Sequence, residues 1–139
     1  MSAKSFTVNL KSKIKSYKKV IDVDSDKSLS IRSFIIGSIC QKISFASNIL
    51  ESEDVKSTIS TCRKLGVKIV KIKSKKYKIY GKGLGSFYAK KNTELDFCNS
   101  GTLARLLIGV LSTTPNIEVK IRGDHSLNKR NMGEIIKLM

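Results

Sequence analysis

The chain has 139 residues, of which 40% are hydrophobic, enough for one ordinary domain with a buried core and too apolar for a disordered tail. Its charge of +16 comes from 27 basic and 11 acidic residues, and raises the question of a nucleic-acid partner. No apolar run approaches membrane-spanning length, and no secretory leader is visible at Met1, so the expected location is the cytoplasm, with no membrane partner.

The first 17 residues are polar and lysine-rich, with weak alternation at Phe6, Val8 and Leu10, which predicts a tail or an edge strand. Val20, Ile21 and Val23 predict a short strand ending in an acidic turn at Asp22, Asp24 and Asp26. From Ser28 on, Leu29, Ile31, Phe34, Ile35, Ile36 and Ile39 are too apolar for a surface helix and predict one buried on most sides. Residues 43–49 read as a strand. Ser52 is placed to cap a second helix, with Glu53 and Asp54 in its first turn and Gly66 as its terminator. Residues 67–72 and 76–80 predict a hairpin closed by Ser74 and Lys75.

Residues 95–97 lead into Asn99-Ser100-Gly101-Thr102 and a helix with Leu103, Leu106, Leu107, Val110 and Leu111 on its apolar side. Pro115 breaks it, and Ile117, Val119 and Ile121 alternate as a strand. Arg122-Gly123-Asp124 turns the chain, His125 falls in a loop, and a last helix begins near Met132 and runs to Met139 without a cap. The expectation is a mixed α/β (α+β) fold. A β-α-β-α-β-β unit is followed by the start of a similar one, and the chain stops in mid-helix.

Three cysteines, Cys40, Cys62 and Cys98, lack metal or disulfide-exchange spacing and predict free thiols. His125 is the only histidine, which disfavours a metal site. Only five of the basic residues are arginine, the residue that nucleic-acid readers favour for bidentate and stacking contacts. The lysines are spread through most segments, with a concentration over 68–82, and a solvated surface is the favoured reading. No aromatic-rich stacking run is visible along the chain.

Three places set cations beside small residues at strand-to-helix junctions. Lys27, Ser28 and Arg32 sit at the first helix start, Asn99, Gly101 and Arg105 at the third, and Lys129 and Arg130 after Gly123-Asp124. Helix N-termini and arginine forks suit phosphorylated or carboxylated small molecules. Each alone also reads as a capped helix or solvated loop.

Taken in order, Asp26-Lys27-Ser28-x-Ser30-x-Arg32, Glu53-Asp54-Val55, Asn99-Ser100-Gly101-Thr102-x-x-Arg105 and Gly123-Asp124-x-Ser126-Leu127-x-Lys129-Arg130 resemble the first part of the 5-enolpyruvylshikimate-3-phosphate synthase family. The resemblance runs from about Val20 to the C-terminus. It implies an enolpyruvyl-transferase-type inside-out α/β barrel, with 1–17 as a tail or edge strand and 18–139 as an incomplete N-terminal domain.

The activity implied is transfer of the enolpyruvyl group of phosphoenolpyruvate to the 5-hydroxyl of shikimate 3-phosphate, with release of phosphate, in the shikimate pathway of aromatic amino-acid biosynthesis. No cofactor or metal is implied, and the full-length enzyme is expected to be a monomer. Lys27, Ser28 and Arg32 would hold shikimate 3-phosphate. Lys27, Gly101 and Arg130 would hold phosphoenolpyruvate. Asn99 and Arg105 would support them, and the catalytic groups would lie outside this chain, leaving it inactive alone. The chain departs from the family at Asp24-Ser25-Asp26, where Pro-Gly is usual, at Cys98, where Gly is usual, and at Asn131, where Pro is usual. The rivals are the sister fold acting on UDP-N-acetylglucosamine, which typically has Lys-Asn in place of Lys27-Ser28, and a basic RNA-binding module. The resemblance implies no nucleic-acid partner.

Overall fold

The computed structural model of the chain describes residues 7–9, 11, 16, 18–21 and 23–137. Its elements run α1 (Lys27–Ile39), β1 (Ile43–Ala46), α2 (Glu53–Lys64), β2 (Lys68–Lys73), β3 (Lys76–Tyr80), β4 (Glu94–Asp96), α3 (Gly101–Leu111), β5 (Lys120–Arg122), α4 (His125–Asn128) and α5 (Gly133–Lys137). The fold is mixed α/β, and from α1 to β3 the order is the one the sequence predicts.

The strand expected at Val20, Ile21 and Val23 does not form. These side chains are exposed, and no strand pairs with them among the described residues, so their backbone groups are left to water. Most of the expected tail or edge strand, including Phe6 and Leu10, lies outside the described residues; Val8 is exposed.

β1, β3 and β2 form an antiparallel sheet in that order. The register places Ile69 opposite Ile79 and Ala46 opposite Tyr77, and all four are buried on one face. The hairpin turn needs a left-handed residue, which Lys75 supplies with φ +54°. On the inner face lie α1 and α2. Ile31, Phe34 and Ile35 from α1 meet Val55, Ile59 and Cys62 from α2, and the Phe34 ring stands edge-on to Tyr77 at 5.2 Å. Gly37 lets α1 approach the sheet closely: a Cβ there would come within 2.8 Å of the Ile79 Cδ1.

α1 is less covered than its composition predicts. Leu29 and Ile36 are exposed, because α2, α3 and the sheet surround one side of the helix only among the described residues. Gly66, at φ +86°, ends α2 as expected, with the Val67 amide closing back onto the Cys62 carbonyl. Ser52 precedes α2, but its hydroxyl makes no cap bond and is buried without a partner.

β4 and β5 pair in parallel, Leu95 opposite Ile121, and α3 makes the crossover between them. α3 packs on α1 and buries Leu103, Ala104, Leu107 and Leu111. The strand expected from Ile117 shrinks to three residues because β4 offers only three partners; Ile117 and Val119 stay half-buried outside the ladder. Leu106, expected on the apolar side of α3, is exposed. The parallel arrangement sets the C-terminal ends of β4 and β5 side by side, so residues 98–101 and 123–130 emerge at the same edge.

Candidate functional site

α1 begins at Lys27, one residue earlier than the expected start at Ser28. Asp26 is its N-cap, and its carboxylate accepts the Leu29 amide at 2.6 Å. That carboxylate occupies the first-turn donor and offsets the helix's positive end. Ser30 is buried in the turn, donating to the Asp26 carbonyl and accepting the Leu50 amide. Ser28 is half-buried and Arg32 exposed, with no ion-pair partner for Arg32 among the described residues. Lys27 reaches across to α2, where its Nζ lies 2.9 Å from Oδ2 of the largely buried Asp54. The sequence offered Asp54 as a first-turn helix acid and as part of the Glu53-Asp54-Val55 motif; its pairing with Lys27 is visible only once α1 packs on α2.

The second cluster is built on the parallel strand pair. After β4 the chain turns through Cys98 at φ +46°, a left-handed conformation that costs a non-glycine residue about 1 kcal/mol. The Asp96 carboxylate accepts the Cys98 amide at 2.8 Å and holds the turn. That bond, aided by Arg122, pulls the Asp96 carboxyl below its usual range. Burial, with the carboxylates of Asp96 and Asp54 adding to it, raises the Cys98 thiol. Asp54 thus pairs with Lys27 and joins the start of α1 to the first turn of α2.

Ser100 caps α3, accepting the Leu103 amide at 3.2 Å, while the Gly101 amide turns back to the Asn99 carbonyl. These two amides are already engaged, and side chains add positive charge at this helix start. Arg105, one turn into α3, and Arg130, just after α4, converge on Gly101. A Cβ on Gly101 would lie 2.5 Å from Arg130 Nη1 and 2.9 Å from Arg105 Nη1. Asn99 accepts Arg130 Nη2 at 2.7 Å and fixes the fork. Two guanidiniums over a residue with no side chain form a cradle for a carboxylate or phosphate.

The loop after β5 delivers Arg130. Asp124 donates its amide to the Cys98 carbonyl at 2.8 Å, tying the two loops together, and caps α4 by accepting the Leu127 amide. Leu127 is buried beneath Gly123, where a Cβ would collide with it. His125, expected in a loop, opens this short helix and is exposed. Arg122 belongs to a different arrangement: it pairs with Glu94 and Asp96 on the strand pair.

The structure therefore joins Asn99, Gly101, Arg105 and Arg130 in one cluster, and pairs Lys27 with Asp54. Ser28 and Arg32 share the α1 start with Lys27 and, among the described residues, make no side-chain bond to that cluster. Among the described residues no group of three His, Cys, Asp or Glu side chains is arranged to hold a metal, and no helix is long and apolar enough to cross a membrane.

Comparison with known proteins gives consistent results. A family model described as EPSP synthase (3-phosphoshikimate 1-carboxyvinyltransferase) matches residues 11–139. A 3-phosphoshikimate 1-carboxyvinyltransferase of Leptospira interrogans is 40% identical over 127 residues, covering 91% of this chain and 28% of that protein. One of Syntrophomonas wolfei is 39% identical over 128 residues, covering 92% and 29%. A solved structure of EPSP synthase from Acinetobacter baumannii matches with a TM-score of 0.75 at 37% identity, over 84% of this chain and 26% of that one. The chain spans 28–29% of the length of these two curated relatives.

Proposed function

This chain belongs to the EPSP synthase family, and from that premise we propose that it forms part of an enzyme joining phosphoenolpyruvate to the 5-hydroxyl of shikimate 3-phosphate. The observation that carries this reading is the convergence of Arg105 and Arg130 over Gly101. Both substrates are anions, and a side-chain-free residue beneath two guanidiniums lets a carboxylate or phosphate come close to the main chain.

In this reading Arg130, held by Asn99, grips phosphoenolpyruvate above Gly101, and Arg105 steadies the cradle. Ser28 and Arg32 hold shikimate 3-phosphate at the start of α1, Arg32 reaching its carboxylate. Lys27 stands between the two substrates, with Asp54 fixing its position until they arrive. The 5-hydroxyl gives up its proton to a base as its oxygen bonds to C2 of phosphoenolpyruvate, and the C2=C3 π electrons take a proton at C3 from an acid. The tetrahedral intermediate then collapses with loss of phosphate and of that C3 proton. Other groups move these protons; the part of these residues is to bind and align two anions.

The open outer face of the β1-β3-β2 sheet and the helices on its inner face support an inside-out α/β barrel, of which residues 18–139 supply the first portion. The full-length enzyme is proposed to be a cytoplasmic monomer that closes on its substrates and excludes water.

The test is kinetic. In a full-length protein containing this chain, Arg130→Ala should raise KM for phosphoenolpyruvate by about 10- to 100-fold, as expected for one charge-assisted hydrogen-bonding group. An unchanged KM removes Arg130 from the site. Arg32→Ala should likewise weaken shikimate 3-phosphate binding by isothermal titration, and equal binding refutes that role.

A further inference from the structure

The lysine concentration over residues 68–82 has no part in the anion cradle. Residues 67–82 hold seven lysines and no carboxylate. They fold as the β2–β3 hairpin, whose outer face, continued by β1, carries side chains that the core does not use.

The register defines that face. Tyr80 stands between Ile43 on β1 and Lys68 on β2, and Lys78 stands between Phe45 and Val70. Phe45 is 63% exposed, and Ile43 and Val70 are exposed beside it. Lys78 Nζ lies 5.9 Å from the centre of the Phe45 ring and 5.0 Å from that of Tyr80, and Lys68 Nζ lies 5.0 Å from Tyr80 on the other side. Two rings and two ammonium groups thus alternate over one sheet face. The few aromatics of the chain look scattered in the sequence; pairing β1 with β3 gathers two of them.

We propose that the outer face of this sheet docks single-stranded nucleic acid, bases stacking on Phe45 and Tyr80 while phosphates meet Lys68 and Lys78. A sheet that presents one exposed ring, Phe45, and one half-buried ring, Tyr80, can stack unstacked bases, and lysines that already hover over those rings can turn to the backbone when a base takes their place. The lack of any carboxylate over residues 67–82 removes local repulsion of a polyanion. Acidic proteins and anionic membranes also satisfy the charge, and they are the outcomes to exclude.

The experiment is fluorescence anisotropy of the full chain with a fluorescein-labelled oligo(dT) of about 15 nucleotides, across a salt series. Phe45→Leu should weaken binding about tenfold, and Phe45→Leu with Tyr80→Leu about 100-fold, since each stacked base contributes on that scale. Lys56→Gln with Lys64→Gln, on α2, is the charge control and should cost no more than about threefold. Phe45→Trp keeps a ring at the position, should retain binding, and should show quenched fluorescence when oligo(dT) is added; circular dichroism checks that each variant folds. Phosphoenolpyruvate should not displace the oligonucleotide, which keeps this site separate from the cradle. Equal losses in the ring and control variants, an unquenched Trp, equally tight duplex binding, or competition by phosphatidylserine vesicles at equal charge would each overturn the proposal.

Discussion

Asn99 and Arg130 are 31 residues apart in sequence and 2.7 Å apart in space, amide oxygen to guanidinium nitrogen. The pair exists because β4 and β5 run parallel and end together, so the turn after one strand meets the loop after the other. An arginine on an exposed loop would otherwise sample many rotamers. Asn99→Ala leaves the charge of Arg130 in place and removes its anchor. In a full-length protein it should raise KM for phosphoenolpyruvate about fivefold, less than Arg130→Ala, because one neutral-to-charged hydrogen bond is lost and the cation remains.

Two glycines should respond differently to the same added methyl group. At Gly101 the Cβ meets the far ends of Arg105 and Arg130, which can swing aside. Gly101→Ala should fold, with its denaturant midpoint near that of the parent, and bind phosphoenolpyruvate about tenfold more weakly as the guanidiniums are displaced. At Gly81 the Cβ meets the carbonyls of Cys40 and Gly37, which are backbone and fixed by α1. Gly81→Ala should lose about 3 kcal/mol or more in urea unfolding. Equal stability of the two variants would contradict the placement of Gly81.

Glu51 ties the hairpin to the loop before α2. It accepts Lys71 Nζ and the Tyr77 hydroxyl, the latter at 2.6 Å, and these bonds hold its carboxyl down to about 2. An unfolded glutamate titrates at about 4.3, so this stabilisation is complete above that pH and is lost as pH falls towards 2. Burial, with Glu51 adding to it, pushes the Tyr77 phenol up to about 12. Its contribution is complete below an ordinary tyrosine pKa of about 10 and is lost as pH rises through 12. Urea midpoints measured at pH 7, 3 and 11.5 should fall at both extremes. Glu51→Gln should flatten the acid limb, and an acid limb as steep in that variant would show that other carboxylates govern it.

Cys98 adopts a left-handed backbone at the turn into α3. Cys98→Gly removes a cost of about 1–2 kcal/mol in the folded chain but adds about 0.5–1 kcal/mol of unfolded-state entropy. The net expectation is a rise in Tm of about 3 °C. A fall in Tm would mean that the packing of the half-buried thiol outweighs the backbone strain.

Cys62 is fully buried, and burial raises its thiol to about 11. At pH 8 iodoacetamide should modify the partly exposed Cys40 first and leave Cys62 untouched until the chain is unfolded in urea. Mass spectrometry of timed digests reads the order directly.

Much of the architecture is written in local patterns. The alternation over β2 and β3 and the terminator Gly66 were legible because each depends on residues close in sequence. Failures lie where a distant partner decides. Val20, Ile21 and Val23 have the composition of a strand but nothing beside them to pair with among the described residues. The strand from Ile117 is cut short by the length of β4. Leu29 and Ile36 look like core residues, yet no described element covers them. At the site, Lys27, Gly101, Arg105 and Arg130 were visible as motifs, whereas the roles of Asp26 and Asp54 were not. A carboxylate before a helix reads as a turn until its bond to Leu29 is seen, and Asp54 reads as a helix acid until α1 brings Lys27 against it.

The two sheets differ in how far apart in sequence their strands lie. β2 and β3 meet across a two-residue turn, whereas β4 and β5 are three residues long and joined only through α3. Loop closure must precede the gain from such a distant pairing, so the parallel pair should assemble late in folding. Its amides should also exchange with deuterium sooner than those of the hairpin. The arginine cradle hangs from that pair, so its geometry should be completed only after the hairpin and its helices have formed.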